Sequence, residues 1–375
     1  MSRADEILGQ LARPDRTRLS GHTAKGFDLL AERIAGYPVT PVVCYELRVA
    51  GRNRLIRFKL EGESPWRSIK GRTAIGLLAS VLGRTTDRSA LIESTSGNLG
   101  VALAALAGDL DLPFTAVVDD RLPSAMERRM RLAGADLQPA DPGPDGTDGL
   151  SSRLRTVARL LAADPDALWP DQYGNLVNPL VHRVWTGPEL LAQAPLAEAL
   201  FIGASTGGTL AGISRAARAA RPELKIVGVD VEGSRALGGP HGGRLLSGIG
   251  SSRVSGLCDQ STCDAVEVVS SRSGIVHCRA WQRATSLSLG GSGGAVLAAA
   301  LRHLAAHPEL TSVLCLCPDL GENYTDTIYD DAWVQAQGIA PDEPGMMEEP
   351  PHECKESDIT PEFQRTPAAP RRGEP

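Results

Sequence analysis

The chain has 375 residues, which at roughly 150 residues per domain predicts two domains with a real hydrophobic core and excludes a stapled mini-protein. With 39 Lys+Arg against 45 Asp+Glu, a net charge of −6 and 4% aromatics, bulk composition supplies neither the cationic surface nor the stacking platforms of a nucleic-acid binder. The N-terminus has charges on both sides of short apolar pieces and no later window approaches a membrane span, so the sequence reads as cytoplasmic and without a membrane partner.

The elements alternate along the chain. The runs RLIRFKL, ALIES and FTAVVDD read as strands, with AIGLLASVL, GVALAALAG and a stretch from Ser124 to Ala133 as helices between and after them. The rhythm resumes with the strand EALFIGAS, a helix from about Gly208 to Ala220, the strands KIVGVDV and DAVEVVS, two helical stretches between Arg272 and His307, and the strand SVLCLCPD. Continuous apolar strands alternating with helices predict an α/β fold whose sheet is covered on both faces. From Pro341 to residue 375 the chain holds eight of its 26 prolines and little that can pack, which predicts a disordered tail.

Seven cysteines, an odd number scattered through a chain of this size, read as reduced thiols. Their spacing lacks the paired C-x-x-C pattern of zinc sites, so no metal is expected. His303 and His307, four apart on a helical stretch, form the only metal-like helical pair, and a polar helix face is the better account of them. No H-E-x-x-H, G-x-x-x-x-G-K-[ST] or G-x-G-x-x-G occurs.

Three glycine-bearing turns each precede a helical run: Glu93 to Gly100, Gly203 to Thr209, and Gly290 to Gly294. Unpaired N–H groups and the positive dipole end at a helix start make such turns candidate anion cradles. Taken singly, each is as well explained as an ordinary capping turn. Lys70 follows a proline-bearing loop at the start of AIGLLASVL, where the helix dipole and neighbouring Arg67 and Arg72 favour a neutral amine, the form that makes a Schiff base; taken alone, a solvated surface lysine is the commoner reading. Two of the turns also match G-x-S-x-G, the nucleophile elbow of serine hydrolases, but His303 and His307 downstream lie on a helical stretch without loop character.

Together these motifs, in order over about Thr40 to Trp333, resemble the cysteine synthase (O-acetylserine sulfhydrylase) family of fold-type II pyridoxal-phosphate enzymes. Ser68-Ile69-Lys70 is similar to the family's lysine motif, Thr95-Ser96-Gly97-Asn98 to its substrate loop, Ser205-Thr206-Gly207-Gly208-Thr209 to its phosphate loop, and Ser292-Gly293 to its late turn. Leu99, Gly71, Ser205 and Pro65-Trp66-Arg67 depart from the sulfhydrylase pattern. The stretches Glu93 to Ala104 and Thr325 to Val334 look more like the diaminopropionate-biosynthesis branch, whose members join O-phospho-L-serine to L-glutamate.

The resemblance implies pyridoxal 5'-phosphate as cofactor, with Lys70 as its covalent anchor and as the base at the substrate's Cα. It implies Asn98 against the ring hydroxyl, Ser205, Thr206, Gly207, Gly208 and Thr209 around the phosphate, and Ser292 facing the ring nitrogen. Thr95, Ser96, Gly97, Asn98 and Gln172 are implied to bind the substrate carboxylate. Arg253 is a candidate for an extra anionic group, with a solvated loop arginine as the equal alternative.

The implied reaction is β-replacement on an O-activated L-serine through an aminoacrylate, with an amino-acid amine such as L-glutamate as nucleophile. The alternatives are sulfide as nucleophile, a serine or threonine dehydratase, and a non-catalytic regulatory homologue. The implied fold is that of tryptophan synthase β-like enzymes, two three-layer α/β domains with the cofactor in the cleft. The expected boundaries are an arm over 1–39, a large domain from 40–84 plus 191–340, and a smaller substrate-loop domain over 85–190. A homodimer acting on small amino-acid substrates is implied as well.

Overall fold

The computed structural model describes residues 2–12, 21–86, 88–120, 122–142, 149–259 and 261–354. Two helices lead, α1 (Arg3–Leu11) and α2 (Gly21–Ala35), followed by the hairpin β1 (Val42–Val49) and β2 (Arg52–Leu60) and then α3 (Lys70–Leu82). Ala50 and Gly51, both at positive φ (51° and 72°), make the tight two-residue turn that suits the right-handed twist of a hairpin.

A small parallel sheet follows, β3 (Leu91–Ser94), β4 (Phe114–Val118) and β5 (Asp136–Pro139), connected by α4 (Asn98–Asp109) and α5 (Ser124–Leu132). After it come α6 (Gly149–Ala163), α7 (Val177–Val181), a π-helical turn over His182–Thr186 and α8 (Gly187–Gln193). The chain then returns through β6 (Ala199–Gly203), α9 (Gly208–Ala220), β7 (Lys225–Val231), β8 (Ala265–Val269), α10 (Ser271–Thr285), α11 (Gly291–Ala306) and β9 (Ser312–Cys317). It closes with α12 (Asp331–Ala336) and β10 (His352–Cys354).

The large sheet has the order β10-β1-β2-β9-β6-β7-β8. It is parallel from β2 to β8 and antiparallel at β1 and β10. One face is covered by α10 and α11 around the fully buried Trp281, the other by α8 and α9. The central strands β6, β7 and β9 are nearly uniformly buried, as parallel strands covered on both faces must be.

Two sequence expectations change. The apolar residues of α3, Ala74 to Leu82, pack with α1, α2 and α4 in the core beside the small sheet, so α1, α2 and α3 belong to that packing rather than to the large sheet or to a separate arm. The segment from Pro341, read as disordered, is ordered as far as Cys354. Its β10 pairs with β1, and Met347 packs against the large core. Residues 355–375 lie outside the described residues. The strand β1 was not expected either, because it lies near the sheet edge and carries a mixed rather than a continuous apolar pattern.

A buried ionic cluster ties β2, α3 and α8 together. Lys59 Nζ donates to Glu189 at 2.7 Å, to the Thr40 carbonyl at 2.6 Å and to Gln193 at 2.6 Å. Arg72 forks between Glu61 (2.9 Å) and Glu189 (2.7 Å), with its guanidinium 5.0 Å from the Tyr37 ring centroid and 4.9 Å from that of Trp185. Burying charges is tolerated only when each finds such partners. The Arg72 and Lys59 cations hold Glu189 down at about 2 against the opposing effect of burial.

Candidate active site

The carboxyl ends of parallel strands converge on a cavity of about 310 Å³ between the two sheets, the usual position for a ligand site in α/β folds. Its wall includes Lys70, Thr95, Ser96, Gly97, Asn98, Gln172, Ser205 and Ser292, so the structure brings together residues spread over more than two hundred positions of sequence. No histidine lines it, which leaves the two G-x-S-x-G turns without the base a serine hydrolase needs.

Lys70 is the first residue of α3. The preceding loop is fixed by Ile69 N–H donating to the Pro318 carbonyl (2.9 Å) and by the pairing of Ser68 with Asp319. Its ammonium has no hydrogen-bond partner among the described residues, and burial brings the amine down to about 8, with the charge of Glu93 acting in the opposite direction. The cause differs from the one expected from the sequence. Arg67 is engaged with Glu322 (2.6 Å) and Glu63 (3.3 Å) at the surface, and Arg72 is engaged in the ionic cluster, so the lowering comes from the loss of water.

The β3–α4 turn presents Thr95 to Asn98. Thr95 Oγ1 accepts from Gly100 N–H at 3.0 Å, and Ser96 Oγ donates to Asp119 at 3.2 Å and accepts from Arg153. Beneath the turn, Glu93 is fully enclosed and accepts from the N–H groups of Ser94 (2.8 Å) and Gln172 (3.2 Å). Burial, with help from Asp171, raises its carboxyl to about 8. Gln172 Nε2 donates to the Ser94 carbonyl at 2.8 Å.

Asn98 Nδ2 donates to Asp319 Oδ2 at 2.7 Å, and the same oxygen accepts from Tyr324 at 2.9 Å. Burial raises Asp319 to about 6, and its Oδ1 is left without a partner. Gly290, the cap of α11, lies so close that a Cβ there would overlap Asp319 Oδ1. Ser292 sits one residue into the same helix and is 3% exposed.

The β6–α9 turn carries Ser205 to Thr209. Ser205 Oγ donates to the Gly250 carbonyl at 3.0 Å, and Ser255 Oγ donates to the Thr206 carbonyl at 2.7 Å. Gly207 has φ +87°, and a Cβ there would overlap Ser255 Oγ, so only glycine serves at this position. Gly208 opens α9 and abuts the Asn178 side chain, whose Oδ1 is unpartnered. Thr209 Oγ1 is 3.3 Å from His182 Nε2, which is also 3.0 Å from Thr73 Oγ1. His182 therefore braces α9 against α3, and burial together with the Lys70 and Arg72 charges keeps its ring neutral.

Arg253 is not among the residues lining the central cavity. It is exposed at an adjoining cleft shared with Ser205 and Thr206, and donates to Ser151 Oγ at 2.8 Å. Arg153 on α6 and Arg244 line the central cavity instead. Sequence reasoning missed both, together with Glu93, Asp319 and His182 as site residues. The only signal available was that Glu93, Asp319 and His182 fell within stretches similar to the family. His303 and His307 stack on one another, with His303 Nδ1 2.9 Å from Glu267, a polar helix face with no role at this cavity.

These residues fit pyridoxal phosphate: a half-buried amine without a partner and the unpartnered Asp319 oxygen at the cavity wall, and a glycine turn at the N-terminus of α9 that reaches the wall at Ser205, with Thr206 on the adjoining cleft and Gly207, Gly208 and Thr209 lining neither. Comparison with known proteins agrees. Residues 35–319 match the family model described as pyridoxal-phosphate dependent enzyme. A protein of Cupriavidus metallidurans named N-(2-amino-2-carboxyethyl)-L-glutamate synthase is 38% identical over 74% of this chain and 83% of its own length. One of the same name from Ralstonia nicotianae is 36% identical over 79% and 88%.

Among solved structures, the O-acetylserine dependent cystathionine beta-synthase of Helicobacter pylori superposes with a TM-score of 0.72 at 27% identity, covering 80% of this chain and 98% of that one. O-ureido-L-serine synthase superposes at 0.70 and 28%, covering 81% and 98%. The chain is a member of the pyridoxal-phosphate dependent enzyme family, with that cofactor and the α/β fold of its relatives.

Proposed function

We propose that the enzyme replaces the β-substituent of O-phospho-L-serine by the amine of L-glutamate. The Cβ–O bond to phosphate breaks, a Cβ–N bond forms, and the product is N-(2-amino-2-carboxyethyl)-L-glutamate. The observation that carries this reading is a single cavity with an unpartnered lysine amine and two guanidiniums, Arg153 and Arg244, on its wall, supported by the names of the two relatives at 38% and 36% identity. Planar guanidiniums suit both the phosphate leaving group and the extra carboxylate of the nucleophile.

When bound, the cofactor supplies an electron sink conjugated to the substrate's Cα. Lys70 would hold it through Nζ, Asn98 and Ser292 would orient its ring, and the β6–α9 turn from Ser205 to Thr209 would hold its phosphate. The Thr95–Asn98 turn and Gln172 bind the substrate carboxylate, which aims the Cα–H bond at Lys70. Lys70 Nζ, near 8, is well matched to take that proton and to return it after the Cβ–N bond has formed.

A homodimer in the cytoplasm is part of the same proposal, by resemblance to the family. Among the described residues no helix is long and apolar enough to cross a membrane. The test is to incubate the holoenzyme with O-phospho-L-serine or O-acetyl-L-serine and either L-glutamate or sulfide, and to identify products by mass spectrometry. The phosphoserine–glutamate adduct is expected, and Arg153→Met should raise the phosphoserine KM by about tenfold or more with a smaller effect on acetylserine. Cysteine formation exceeding the glutamate adduct would overturn the nucleophile assignment.

A further inference from the structure

The cysteines occupy different environments. Cys278, Cys315 and Cys317 are enclosed in the core, where burial pushes the Cys278 thiol up to about 12 and the other two upward as well. Burial also raises Cys258 and Cys263. Cys44 and Cys354 lie instead at the sheet edge, on β1 and β10. They are Cα partners in the antiparallel register, and their sulfurs are 3.1 Å apart although 310 residues separate them in sequence. Cys44 is buried, Cys354 is partly exposed, and the two share a small apolar cluster with Leu55.

Directly opposed residues of an antiparallel pair have Cα atoms about 4.5–5.5 Å apart, within the roughly 4.4–6.8 Å that a disulfide spans, so a bond requires no movement of the backbone. The strand β10 is three residues long and is the last described element. Three residue pairs hold a strand weakly, and a covalent bond at one of them would decide whether it stays docked.

We propose that Cys44 and Cys354 form a redox-reversible cross-link that fastens the C-terminal strand to the edge of the large sheet. The oxidant is a peroxide. The more accessible Cys354 thiol is oxidised to a sulfenic acid with release of water. The Cys44 sulfur then displaces the hydroxyl as a second water, forming the S–S bond, so that two thiols are oxidised by two electrons and one peroxide is reduced. A dithiol returns both electrons by exchange and restores the two thiols.

The test treats the reduced holoenzyme with hydrogen peroxide, counts thiols in denaturant and maps peptides without reduction. The thiol count is expected to fall from seven to five, with a Cys44–Cys354 peptide found and all seven thiols restored by dithiothreitol. Amide exchange over His352–Cys354 should slow by about tenfold or more in the oxidised protein. Cys354→Ser should keep its six thiols after the same treatment and retain wild-type turnover. A Cys258–Cys263 bridge, a bridge between chains, seven surviving thiols, or unchanged exchange at β10 in the oxidised protein would each overturn the proposal.

Discussion

Lys59 and Lys70 lie at the two ends of one connection and are both withdrawn from water, yet they have opposite surroundings. Lys59 has three acceptors between 2.6 and 2.7 Å and belongs to a cluster in which Glu61, Arg72 and Glu189 complete one another. Lys70 faces a cavity with no acceptor, and Glu93, the one charge that acts on it, is itself raised to about 8. A buried charge whose partners are all protein atoms joins pieces of the fold. An amine whose partners are missing, in a cavity also lined by Asp319 with its unpaired oxygen, marks where a ligand completes the set.

The largest effect is expected at the incomplete site. Lys70→Ala should lower turnover by at least about 10³-fold and abolish the visible band of the lysine-bound cofactor, while the unfolding midpoint stays close to that of the cofactor-free wild type. The complete cluster should behave in the reverse way. Arg72→Met leaves the buried Glu61 and Glu189 with Lys59 as their one remaining buried cation, and should cost about 3 kcal/mol in urea unfolding. A Lys70 variant that unfolds, or an Arg72 variant of unchanged stability, would erase the distinction between the two regions.

The titrations of Glu93 and Lys70 can also be separated by pH. The folded protein keeps the Glu93 proton up to about 8, whereas the unfolded chain releases it near 4.5. Its stabilising contribution is therefore complete below about 4.5 and is lost as pH rises toward 8. Lys70 acts in the opposite sense, its contribution being present above 10.5 and lost as pH falls toward 8. The cofactor-free protein should pass through a minimum in these contributions near pH 8, with slopes of about 1 kcal/mol per pH unit on either side. Glu93→Gln should flatten the acid side in urea titrations at several pH values. Retention of the full slope in the variant would assign it elsewhere.

A smaller effect is expected from Gly207→Ala. It places a side chain at positive φ against Ser255 Oγ, a strain of about 1–3 kcal/mol, and should weaken cofactor retention by about tenfold or more in dialysis while leaving the Lys59 cluster intact. Unchanged retention would remove the phosphate from this turn.

Much of the fold was legible because its signals are local: continuous apolar strands, helices between them, and glycine turns before helix starts. Lys70, Thr95–Asn98, Ser205 and Ser292, which the structure brings to one cavity, could be singled out because each lies in a short run at a helix start. What could not be read depends on long-range contact. Arg153 reaches Ser96 across 57 residues and carries no motif, whereas Arg253 sat beside a glycine turn and attracted attention that its exposed position does not justify. The lowering of Lys70 was expected from neighbouring arginines, but both turn away to carboxylates, and burial, a tertiary property, supplies the effect. The edge strand β10 lies in a proline-rich segment whose composition conceals three residues that pair with β1.

The central claim is that Lys70, and not the other buried lysine, carries the cofactor. The chain has five lysines, at positions 25, 59, 70, 225 and 355. The direct measurement is to reduce the holoenzyme with borohydride, which fixes the cofactor to the amine that holds it, and to locate the modified peptide by mass spectrometry. The label is expected on Lys70 alone; a label on Lys59, or no fixed cofactor in a protein that binds it, would contradict the assignment.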